Sequence, residues 1–146
     1  MTDIGVMNGP NLGRLGRRQP EIYGRLGLAD IERDLLGEFP EVTFHFFQSN
    51  HEGRLIDQLE AWADQGIRRV VINPGALTHT SYALRDAIEG LDLWVVEVHL
   101  SNIYRREGFR AHSVIAPVAR GQISGLGALG YRLAVRYLLD EAGVEA

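Results

Sequence analysis

Short runs of aliphatic and β-branched residues alternate along this chain with stretches whose apolar side chains return every three or four positions. Residues 4–7 are apolar and predict a first strand. Leu28, Ile31, Leu35 and Phe39 then recur at helical spacing. Val42, Phe44 and Phe46 alternate as a strand does, and Leu55, Ile56, Leu59, Trp62 and Ala63 mark one face of a second helix. Residues 70–72 predict a short strand, and residues 81–90 a third helix, capped by Thr80 or Ser81 and stopped by Gly90. Residues 93–96 form an unbroken apolar run, as expected of a strand buried on both faces. Ile115 and residues 120–124 carry a final strand signal. Leu129, Leu133, Ala134, Tyr137 and Leu138 form the stripe of a last helix.

A helix between successive strands is the crossover that parallel pairing needs. The expectation is an α/β chain: a flavodoxin-like three-layer αβα sandwich with a five-stranded parallel sheet. A length of 146 residues suits one domain, 1–146, and no repeat or linker divides it.

Composition removes whole classes of chemistry. There is no cysteine, so disulfides, thiolate metal sites and cysteine nucleophiles are excluded. All 15 basic residues are arginine, so no lysine is present to form a Schiff base or to hold phosphate in a Walker A loop. The formal charge of −4 points away from nucleic acid. No apolar run approaches the ~20 residues that span a bilayer, and the first residues lack the pattern of a signal peptide. A cytoplasmic chain without membrane contact is expected.

In an open α/β sheet, ligands bind beyond the carboxyl ends of the strands. The unusual polar residues fall there. Strand one leads to Asn8 and Asn11, strand two to the segment QSNHE, strand three to Asn73-Pro74-Gly75 and then Thr78-His79-Thr80, and strand four to Glu97, His99, Ser101 and Asn102. Residues 8–24, rich in glycine, proline and arginine, read as a long loop. Glu97 and His99 stand two apart, so on a strand they point the same way. Such a pair serves either as a histidine satisfied locally or as an imidazole held by a carboxylate for proton transfer. Backbone amides near Leu100 and Ser101 are expected to open a short helical turn that can receive a carboxylate. Tyr23 shares its loop with Arg14, Arg17 and Arg18. A phenol with a pKa of about 10 is a poor base; neighbouring guanidinium groups, with Arg110 as a distant contributor, would lower it. The alternative is an exposed tyrosine beside solvated arginines.

Two features point elsewhere and are set aside. GLGALG at 125–130 matches a dinucleotide fingerprint, but too little chain follows for the further strand that such a site needs. It reads as a tight turn and close packing. The five histidines, at 45, 51, 79, 99 and 112, lack the spacing of a helical metal site.

The segments NGPNLGRLGRRQPEIYG, FQSNHEG, INPGALTHTSYALRDA, VVEVHLSN and GLGALGY occur in order over nearly the whole chain. Together they resemble the type II 3-dehydroquinate dehydratases of the shikimate pathway. The resemblance implies an enzyme without cofactor or metal, which dehydrates 3-dehydroquinate through an enolate. By motif position, Tyr23 would be the base, activated by Arg18, and Asn11 would stabilise the enolate through an ordered water. His99 would protonate the departing hydroxyl, oriented by Glu97. Asn73, His79 and Arg110 would bind substrate hydroxyls, while Leu100 and Ser101 would hold the carboxylate. Asp86 would reach the site of a neighbouring subunit in a homododecamer, a tetramer of trimers. Residues 9–24 would form a mobile active-site loop.

Gln19, Leu77, Tyr104, Arg105, Gly108 and Leu129 depart from common family choices, none of them an assigned acid, base or enolate stabiliser. A non-catalytic flavodoxin-like binding or scaffold module is the rival. A flavin-phosphate site would want hydroxyl residues in the first loop, and a phosphoacceptor receiver would want acidic strand ends and a lysine. NGPNLGRLG, Asn8, Asn73 and the missing lysine oppose both.

Overall fold

The computed structural model describes residues 1–17, 21 and 26–144, with residues 141–144 described by their backbone. Five strands, β1 (Thr2–Asn8), β2 (Val42–Gln48), β3 (Arg69–Asn73), β4 (Trp94–His99) and β5 (Gly121–Ser124), pair in parallel in the order β2-β1-β3-β4-β5. Between or after them run α1 (Leu28–Glu38), α2 (Glu52–Asp64), α3 (Tyr82–Gly90) and α4 (Leu129–Val144). This is the expected three-layer sandwich in the flavodoxin-like strand order.

Strand alternation assigns each helix to a layer. Ile4, Val6, Val71, Val96 and Val98 face α1 and α4, where Ile31, Leu35, Tyr131, Val135 and Leu138 complete one core. Met7, Val70, Ile72 and Val95 face α2 and α3, where Leu55, Leu59, Trp62, Leu84 and Ile88 complete the other. Each fully buried aliphatic side chain contributes roughly 2 kcal/mol of transfer free energy, so the two cores fix which way every strand residue points. Gly5 lets the second core close. A Cβ there would lie 2.6 Å from the Trp62 ring.

Strand β4 is longer than its apolar run suggests and starts one residue later. Polar Glu97 and His99 remain in the sheet, Glu97 between Ile72 and Gln122 and His99 opposite Ser124. Pairing with β3 as far as Glu97, and with β5 as far as His99, carries the strand past the point where hydrophobicity ends. Ile115 is not in the last strand. It is fully buried in the second core, in a turn that leads into the short 3-10 segment Ala116–Val118. Ser81, rather than Thr80, caps α3, accepting from the Leu84 N–H at 3.0 Å.

Sheet order reverses between β1 and β3, and at such a switch the connections leave in opposite directions and open a crevice. Asn8, Asn73 and His99 end the strands on this side.

Candidate active site

A cavity lies beyond those strand ends. The loop after β1 gives it Asn11, and β3 and its following turn give Asn73 and His79. The end of β4 gives His99, Leu100 and Ser101, and the segment beyond adds Arg106 and Arg110. Seven of the eleven residues singled out in the sequence therefore share one cavity: Asn11, Asn73, His79, His99, Leu100, Ser101 and Arg110.

Glu97 stands behind His99, with no exposed surface. Its Oε2 is 2.5 Å from His99 Nε2. A carboxylate oxygen can only accept there, so Nε2 carries the proton and Nδ1 is left for the cavity. The Thr78 and Ser113 hydroxyls also donate to Glu97, Ser113 at 2.9 Å from each carboxylate oxygen. Burial pushes the Glu97 carboxyl pKa up, but the His99, Thr78 and Ser113 hydrogen bonds and the His99 charge outweigh it and leave it below the ordinary value.

Asn73 is held at both ends of its amide. Its Oδ1 accepts from the Gly75 N–H at 3.1 Å, and its Nδ2 donates to the Tyr131 hydroxyl at 3.0 Å. His79 Nδ1 lies 2.6 Å from the His112 carbonyl, which only accepts, so the ring turns its Nε2 outward. Arg110 pairs with Glu107 at 2.5 Å and lies 4.8 Å from the Phe109 ring centroid. Arg106 and Arg110 together make the cavity wall basic, which suits an anionic ligand.

The loop at Asn11 is set by β2. Asn11 adopts a left-handed backbone with φ 72°, and its N–H donates to Asn50 Oδ1 at 2.9 Å. Gln48 Nε2 donates to the Gly9 carbonyl at 3.1 Å. Gly9 itself packs on the β3 turn, where an added Cβ would stand 2.4 Å from the Pro74 carbonyl oxygen. On the other side, Gly125 and Gly127 donate to the His99 and Leu100 carbonyls at 3.1 and 2.9 Å. The GLGALG segment is thus a turn that pins residues 99 and 100. The helical turn expected at Leu100 and Ser101 begins later, at Asn102, whose side chain caps the 3-10 segment Ile103–Arg105.

Arg18 and Tyr23 lie outside the described residues, as does Gln19. Asp86 is exposed on α3 and does not line the cavity of its own chain. Sequence reading assigned no role to Arg106, Thr78, Ser113 or Tyr131. The arginine run at 105–110 hinted at the first. Nothing local distinguishes Ser113, which meets Glu97 across 16 residues.

A family model described as dehydroquinase class II matches residues 2–139. The chain is 58% identical to the 3-dehydroquinate dehydratase of Bacillus subtilis, over 97% of its own length and 96% of that protein's. It is 50% identical to that of Halorhodospira halophila over the whole of both chains. Among solved structures, the type II dehydroquinase from Butyrivibrio crossotus superposes with a TM-score of 0.92 at 41% identity, covering 94% of this chain and 97% of that one. The Propionibacterium acnes type II dehydroquinase gives 0.90 at 42% identity, covering 96% and 97%.

Proposed function

The chain belongs to the class II dehydroquinase family, and on that premise we propose that it dehydrates 3-dehydroquinate with Tyr23 as base and His99 as acid. The enzyme is a hydro-lyase, as its relatives are. The observation that carries the acid assignment is the buried Glu97 bonded to His99 at the cavity wall.

A Tyr23 phenolate takes the proton from the carbon next to the substrate ketone. The electron pair of that C–H bond moves toward the ketone oxygen, forming an enolate. As the enolate collapses, a carbon–carbon double bond forms and the adjacent C–O bond breaks. The departing hydroxyl takes a proton from His99 Nδ1 and leaves as water. Glu97 remains a carboxylate throughout and balances the imidazolium. Arg18 holds Tyr23 in its ionised form by its charge, and Asn11 stabilises the enolate oxygen through an ordered water. Asn73, His79 and Arg110 grip the substrate hydroxyls, and the Leu100 and Ser101 segment receives its carboxylate. The roles of Tyr23 and Arg18 rest on the motif they occupy. No lysine is present to offer an imine route.

The proposed assembly is a homododecamer, a tetramer of trimers, in which Asp86 serves a neighbouring site. What supports the second part is the position of Asp86, exposed on α3 and outside its own chain's cavity. Light scattering tests the subunit count.

The decisive experiment is a dehydration assay. Purified enzyme mixed with 3-dehydroquinate should generate the ultraviolet absorbance of an enone. Absence of that absorbance at substrate saturation refutes the function.

A further inference from the structure

Glu97 is wholly buried, and a carboxylate in that position is stable only when donors fill its lone pairs. The protons around it have little freedom. A serine hydroxyl has one proton and two lone pairs. The Ile115 and Ala116 N–H groups donate to Ser113 Oγ at 3.1 and 2.9 Å and occupy both lone pairs. The single Ser113 proton is therefore directed at Glu97. Thr78 Oγ1 lies 2.9 Å from Ser113 Oγ, whose acceptor positions are already taken, so its proton also goes to Glu97. With His99 Nε2, three donors converge on the carboxylate, and none of the three accepts from it.

We propose that Ser113, acting with Thr78, is a positioning residue for the proton donor: by keeping Glu97 an acceptor-only carboxylate, it fixes the His99 proton at Nε2 and turns Nδ1 to the cavity. This rests on the reading of His99 as the acid. The neighbouring strands set Ile72 and Gln122 beside Glu97, and neither ionises. Among the described residues, His99 is the one titratable group bonded to Glu97; the cavity beyond adds His79, Arg106 and Arg110. The downward displacement of the Glu97 carboxyl agrees with this count of donors. Removing a donor disfavours the ionised form, so the carboxyl should protonate at higher pH.

The test uses full-length enzyme labelled with 13C in the glutamate side-chain carboxyls, with the Glu97 signal assigned by its loss in Glu97→Gln. Ser113→Ala and Thr78→Val should each raise the Glu97 titration midpoint by about one pH unit. Each should lower kcat about tenfold and change KM less than about twofold. Ser113→Thr and Thr78→Ser keep the hydroxyl and should restore both readouts. Thr78→Val leaves the turn at 113–116 intact, so its effect is separable from damage to that turn. An unmoved carboxyl midpoint, or an unchanged kcat, in Thr78→Val overturns the proposal. If unmodified enzyme does not dehydrate 3-dehydroquinate, the functional reading fails by itself; a midpoint that still moves then leaves the charge-holding role of Ser113 and Thr78 standing.

Discussion

The hydroxyl of Tyr131 on α4 donates to Asn8 Oδ1 at the end of β1, 2.5 Å away and 123 residues earlier in the chain. The Tyr131 hydroxyl oxygen in turn accepts from Asn73 Nδ2. One phenol thus ties the ends of β1 and β3 to the last helix and sets the orientation of the Asn73 amide at the cavity. Burial raises the Tyr131 pKa far above that of a free phenol, so it works as a neutral link.

Tyr131→Phe keeps the ring and removes that link. Asn8 Oδ1 and Asn73 Nδ2 lose a buried partner, at a cost of about 2 kcal/mol. The melting temperature should fall by several degrees. Release of the Asn73 amide should also lower kcat/KM roughly tenfold. Calorimetry and steady-state kinetics on one preparation check both, and a variant as stable as the parent would contradict the buried link.

Acid should unfold the enzyme partly through Glu97. Its carboxyl has a folded-state pKa below the ordinary value of 4.5. A depressed folded pKa contributes stability that is present above the unfolded pKa and lost as pH falls through the folded one. The unfolding midpoint in urea should therefore drop as pH goes below about 4.5. Glu97→Gln should be less stable at neutral pH, because a buried pair is broken, yet show a shallower acid dependence. Parallel acid slopes in the two proteins would count against the linkage.

Gly5→Ala should destabilise the fold by about 1–3 kcal/mol, since the new methyl meets a closely packed indole. The contact is with Trp62, which is 3% exposed, and an added Cβ would stand 2.6 Å from its ring. Double substitution with Trp62→Phe should recover part of the loss, measured by urea denaturation.

Tyr23→Phe should reduce kcat by about a hundredfold to ten-thousandfold while substrate still binds, because the base is lost and the ring is kept. Isothermal titration alongside the enone assay separates the two effects. A near-normal kcat would end the tyrosine-base assignment.

Asp86→Ala and Tyr23→Phe chains, each inactive alone, should complement when unfolded and reassembled together. A site with intact Tyr23 can then draw Asp86 from its neighbour, and random mixing restores about a quarter of full activity. No recovery would place the action of Asp86 within its own chain.

The sandwich was legible in the sequence because burial on a sheet or helix face leaves a local periodic mark. Leu28, Ile31 and Leu35 had to line up on one face whatever they touched, and the run at 93–96 had to be interior. Glu97 and His99 were legible as a pair for the same reason: two residues apart on a strand, they share a side. Seven cavity residues were named from motif position and strand ends.

Burial patterns say which side of an element is covered, not what covers it. The bonds from Ser113 and Thr78 to Glu97, and from Tyr131 to Asn8, depend on strand register, layer assignment and the path of the 103–118 segment together. None leaves a period in the sequence. The sequence alone determined the alternating architecture, the absence of lysine and cysteine chemistry, and the placing of Glu97 and His99 on one side of a strand. Tertiary structure decided which hydroxyls hold the carboxylate charged and which nitrogen of His99 meets the cavity, because hydrogen bonds between distant segments exist only after the layers have packed.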